Sequence, residues 1–161
     1  HLIFQFRSEN RTYACDVLEN KIKMILLRLG ARDAIELRRV SCRNFAGTAQ
    51  FEVIMESPVP ATPENIRAIT SYDSEDVLIA RVRGDQLPSP TDLERFPAVW
   101  EHISFLRAAR LNLEDRDCAL VQQLRRQILP EMSVQVQMDI GRVDCSYASP
   151  RLTVLALVTA P

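Results

Sequence analysis

The sequence predicts an α+β fold: two β-α-β-β repeats, ferredoxin-like layers of mainly antiparallel sheet with helices on one face. Three observations predict it. Cys15 to Cys42 and Cys118 to Cys145 are both 27 positions apart. A shift of 103 positions superimposes these pairs, and also aligns Ile25-Leu26 with Ile128-Leu129 and Arg39-Val40 with Arg142-Val143. That makes six identities in 28 positions, where chance gives roughly one or two. Finally, helix-period and strand-period patterns follow the same order in both copies.

The first copy opens on a strand-like stretch, Leu2 to Arg7. Cys15 to Leu29 then reads as a helix, with Leu18, Ile22, Ile25 and Leu29 on one face and Gly30 as its stop. Two strands follow, about Ala34 to Arg43 and Ala49 to Ser57. In the second of these, Phe51, Val53 and Met55 alternate with Glu52 and Glu56.

In the second copy the leading strand reads as Phe105 to Leu113. The helix runs from Cys118 to about Leu129, where Pro130 stops it. Its strands are about Ser133 to Ile140 and Arg151 to Thr159. The last is apolar on both faces, as an interior strand is. A parity switch at Arg38-Arg39 recurs at Gly141-Arg142 and reads as a β-bulge in each copy.

Between the copies, Thr62-Pro63-Glu64 opens a short helix to Thr70. Val77 to Arg83 reads as a strand, which completes a β-α-β-β-α-β order. Thr91-Asp92-Leu93-Glu94 reads as the start of a helix carrying Phe96, Val99, Trp100 and Ile103. The expected organisation is therefore a first half over 1–84, a linker over 85–90 and a second half over 91–161, tightly abutting or sharing one sheet.

A helix of 15 residues is about 22 Å long, and a returning strand of eight is about 26 Å. Cys15 opens the helix and Cys42 closes the strand, so the two can meet. Cys118 and Cys145 hold the same places. Each disulfide would contribute about 3 kcal/mol by closing its loop. Two such bonds imply an oxidising, extracytoplasmic compartment: periplasmic, secreted or an ectodomain.

The 161 residues are 47% apolar and 25% charged, with 20 cations against 21 anions. That mix is globular and has no basic footprint for nucleic acid. The apolar runs are far shorter than the roughly 20 residues a membrane span needs, and an anchor outside this stretch is compatible with the pattern. The chain starts at His1 rather than Met and reads as a processed or excised piece.

The four glycines are isolated, so no phosphate-cradling loop of the familiar kinds is expected. His102 is the one internal histidine, and on a helix it would not face Glu101. No catalytic, metal or cofactor residue is assigned. Asn10-Arg11-Thr12 matches a glycosylation acceptor.

The functional expectation is a non-catalytic protein–protein interaction or assembly module of a larger envelope or receptor protein, open to self-association. Its contact residues are expected on an unpaired strand edge or an arginine-bearing strand face: Arg81 and Arg83, with Arg38, Arg39 and Trp100. The alternatives are a ligand-binding or sensory domain with a cleft between the halves, lined by Trp100, Phe96 and arginines, and a small carboxylate-dependent enzyme.

Overall fold

The structure is a computed structural model and describes residues 1–8, 12–105, 113–139 and 152–161. Its elements are β1 (Leu2–Arg7), α1 (Cys15–Arg28), β2 (Glu36–Cys42), β3 (Thr48–Ile54), α2 (Pro63–Ile69), α3 (Ser74–Arg83), β4 (Ala98–Ser104), α4 (Cys118–Gln127), β5 (Val134–Asp139) and β6 (Leu152–Thr159). They make an α+β protein with two three-stranded antiparallel sheets, ordered β1-β3-β2 and β4-β6-β5.

The two sheets share one topology. In the first, β1 and β2 both run antiparallel to β3, and α1 makes the crossover between them. In the second, β4 and β5 both run antiparallel to β6, with α4 as the crossover. The apolar β6 is the central strand, where both of its faces can be covered.

By contacts the chain divides into two compact units, residues 1–58 with 98–161, and residues 59–97. The first holds both sheets around one continuous core. Phe4, Phe6 and Phe51 from the first sheet, Ile22 and Ile25 from α1, and Leu120, Leu124 and Val154 from the second half are all buried in it. The break expected at 85–90 falls inside the second unit.

Three expectations are corrected. The segment Val77–Arg83 is the body of α3, not a strand. Asp73 and Asp76 form a reciprocal capping box at its start, and Gly84 in the left-handed region (φ 73°) closes it. Those end signals outweigh the β-branched run between them. The first half is therefore β-α-β-β without a fourth strand.

The helix expected from Thr91 is not formed. Asp92 takes hydrogen bonds from the Ser89 amide and hydroxyl in a turn. Pro97 then precedes β4, which carries Val99, Trp100 and Ile103. This strand pairs with β6 in the second sheet and lies upstream of the stretch expected at Phe105 to Leu113, most of which is outside the described residues.

The irregularity in β2 falls between Arg39 and Ser41, one residue beyond its expected place. That in β5 falls between Val136 and Met138, which is not the aligned position. Gly141-Arg142 lies outside the described residues, as do Asn10 and Arg11 of the glycosylation pattern.

Cys15 and Cys42 are disulfide-bonded, with Cα atoms 6.2 Å apart. The helix start and the strand end meet as the length argument requires. Asn44, just after the strand, accepts the Cys15 amide at 2.8 Å and satisfies one of the orphan donors of α1. Cys118 is buried at the start of α4 and is not a free thiol. Cys145 lies outside the described residues.

Candidate functional site

One face of the first sheet carries Phe4, Phe6, Phe51 and Val53 into the core. The period of two places Gln5, Arg7, Thr48, Gln50 and Ser41 on the other face. There Gln5 is level with Gln50, Arg7 with Thr48 and Ser41 with Gln50.

Helix α4, from the second half, lies along the outer edge of β1. The side-chain amide of Gln127 accepts from the Gln5 N–H and donates to the Gln5 carbonyl, both at 2.8 Å. The amide of Gln123 does the same for Arg7, both at 2.7 Å. Residues four apart on a helix advance about 6 Å, and residues two apart on a strand about 6.8 Å. Two glutamines at that helical spacing therefore complete the strand edge as a neighbouring strand would. The pairing order, Gln123 with Arg7 and Gln127 with Gln5, makes helix and strand antiparallel.

Between this edge and the outer sheet face is a groove of about 710 Å³. Its walls are Gln5 and Arg7 from β1, Thr48 and Gln50 from β3, Ser41 from β2 and Arg126 from α4, beside the glutamine ladder. None of the lining residues is a carboxylate. Among the described residues, neither Arg7 nor Arg126 has a carboxylate within ion-pair distance.

The other arginines named from the sequence sit differently. Arg39 points to the α1 side and pairs with Glu19 and Asp16, which raise its pKa further above the ordinary arginine range. Arg38 pairs with Glu36 at 2.9 Å and with Glu52 at 4.0 Å. Both are therefore neutralised locally. Arg81 and Arg83 are two apart on a helix, so they do not share a face.

Trp100 lies on the edge strand β4, 42% exposed, opposite Leu157. It is not gathered with Phe96 on a helix. His102 is exposed on the same strand, while Glu101 accepts a hydrogen bond from Arg28 at 2.6 Å. That bond is the main cause of the raised Arg28 pKa. Among the described residues, no three His, Cys, Asp or Glu side chains are grouped to hold a metal ion.

A second feature belongs to the unit of residues 59–97. On α3, Leu78 is 57% and Val82 79% exposed, and Ile79 is exposed beside them. Glu75, Leu78, Ile79 and Val82 follow i, i+3, i+4, i+7, so they form one stripe. Ala80 is the buried residue of α3, and α2 has none. Strand alternation would split these side chains between two faces, and only the helical spacing joins them. The capping residues Asp73 and Asp76 were the signal that could have revealed it.

No family model, no curated protein and no solved structure matches this chain.

Proposed function

We propose that the chain is a non-catalytic, extracytoplasmic protein–protein interaction or assembly module that docks a partner protein on α3. The observation that carries this reading is the exposed stripe Leu78, Ile79 and Val82 on a helix with one buried side chain. Burying a Val or Leu side chain is worth about 1.5–3 kcal/mol relative to leaving it in water. A contiguous apolar stripe is therefore a standing gain for any surface that covers it. The acidic start of the helix (Asp73, Glu75, Asp76) and its basic end (Arg81, Arg83) give the partner a polarity to match. The Cys15–Cys42 bond supports the compartment, since such bonds persist where thiols are not kept reduced. No described helix is long and apolar enough to cross a membrane.

The test is site-specific photo-crosslinking in the native host. A probe at Leu78 should give discrete protein adducts, and one at exposed Glu64 should not. Adding Val82→Glu should abolish the Leu78 adducts while thermal stability stays within about 1 kcal/mol of the parent. Adducts of equal yield from both positions, or none from Leu78, would end this reading.

A further inference from the structure

We infer that the groove between the outer face of the first sheet and α4 is a binding site for an acidic monosaccharide, whose oxyanion is taken by Arg7 and Arg126. This site and the α3 stripe belong to different units and differ in chemistry.

The first argument is charge. Arg28, Arg32, Arg38 and Arg39 all reach carboxylates. Arg7 and Arg126 line one groove, and none of the residues lining it is a carboxylate. Two like charges facing one concavity repel, and an anion between them turns that repulsion into attraction. The chain as a whole carries a formal charge of −1, so this local excess is a property of the site and not of the composition.

The second argument is fixed geometry. Gln123 ties the Arg7 backbone to α4, and Gln127 ties the Gln5 backbone two residues earlier. Arg126 stands between these glutamines in sequence, so its Cα is held on the helix turn that the ladder clamps. Both guanidinium-bearing backbones are therefore positioned before any ligand arrives, which lowers the ordering cost of binding.

The third argument is the remaining wall. Gln5 and Gln50 offer carboxamides, and Ser41 and Thr48 offer hydroxyls. Each can both donate and accept, which is what a ring of sugar hydroxyls requires. An apolar ligand would find little to bury there. The volume of about 710 Å³ lies in the range of small-molecule sites. Carboxylate and phosphate share the bidentate geometry a guanidinium recognises, so the oxyanion source is what the experiment separates.

The experiment is an amide-resolved NMR titration of the full chain with glucuronate, glucose 6-phosphate, glucose and inorganic phosphate in turn. One or both acidic sugars should give saturable shifts at Gln5–Arg7 and Thr48–Gln50. Saturation by glucuronate alone assigns a carboxylate, and by glucose 6-phosphate alone a phosphate ester. The double variant Arg7→Gln, Arg126→Gln should weaken binding at least about tenfold. Arg43→Gln, outside the groove, should leave it unchanged. Both groove arginines are exposed, so the double variant keeps its fold, checked by an unchanged spectrum elsewhere. The proposal fails if neither acidic sugar saturates by about 20 mM, or if the double variant binds as the parent does. It also fails if glucose matches the acidic sugars, or if inorganic phosphate binds as tightly as glucose 6-phosphate.

Discussion

The Lys21 ammonium donates to Asp117 across the two halves of the core, Nζ to Oδ2 at 2.7 Å, and both side chains are buried. The other oxygen of Asp117 accepts from the Tyr13 hydroxyl at 2.5 Å, and the Glu114 amide donates to Oδ2 at 2.8 Å. Lys21 comes from α1 and Asp117 from the residue before α4. The pair therefore fixes how the two β-α-β-β halves meet. Removing one member leaves the other charge buried without compensation. Lys21→Met should destabilise the chain by about 3–5 kcal/mol, whereas Lys21→Met with Asp117→Leu should cost markedly less. Urea denaturation of the three proteins checks this.

The same carboxyl sets a pH dependence. Burial raises the Asp117 pKa, but the Glu114 amide, Lys21 and Tyr13 together outweigh that, and the net shift is downward from 3.8. A depressed folded-state pKa gives stability that is complete above the unfolded value. That stability is lost as pH falls through the folded value. The melting temperature should therefore hold from neutral pH to about 5 and drop below about 4. In Asp117→Asn the start is lower and the acid slope shallower. Equal acid slopes in the two proteins would show that other carboxylates carry the effect.

The glutamine ladder makes a local prediction. Gln123→Leu should free the Arg7 amide, and Gln127→Leu the Gln5 amide, for hydrogen exchange. Both bonds are exposed, so each substitution should cost no more than about 1 kcal/mol globally. Protection of the β3 amides should stay near the parent value. Uniform loss of protection across the sheet would show that the ladder supports the whole fold rather than one edge.

Gly30 separates close approach from simple backbone freedom. Its φ is 102°, and a Cβ there would lie 2.2 Å from the Leu157 carbonyl oxygen on β6. Gly84 also has positive φ (73°), but a Cβ there meets nothing within 4 Å. Gly84→Ala should cost about 1 kcal/mol, the left-handed penalty alone. Gly30→Ala should cost several times more, because backbone of the second sheet must move. Thermal melts of the two variants give the comparison directly.

Reduction of Cys15–Cys42 supplies a fifth energetic test. A loop of 27 residues predicts a loss of about 3–4 kcal/mol. The Cys15→Ala, Cys42→Ala variant measures it in the native buffer. The pairing of Cys118 with Cys145 is checked by peptide mapping without reductant, and a cross-copy bond would overturn it.

Much of the first unit was legible because its signals are local or repeat. The period of α1 sets its bounds to within one residue, and the alternation of β3 sets its start to within one residue and its end to within three, since each buries one face against the same core. The Cys15–Cys42 bond followed from element lengths and the sense of the chain. Over residues 77 to 103 local preference conflicts with end chemistry, and the end chemistry prevails. Val77, Leu78 and Ile79 favour a strand by type, but a capping box and a left-handed glycine fix the helix. Trp100 and Ile103 allow a helical period, but Pro97 and pairing to β6 make them a strand.

By itself, then, the sequence determined the class, the order of most elements, the disulfide at the first helix start and the absence of a basic footprint. Tertiary structure alone decided what stands beside what. Arg7, Gln50 and Arg126 are far apart in the chain and carry no shared pattern. They meet because β1 pairs with β3 and because two glutamines of α4 complete the edge of β1. Lys21 and Asp117 pair only because both halves are buried in one core. Local periodicity reports which face of an element is apolar. It holds no information about which polar groups another element brings to the opposite face, and the groove is made of those groups.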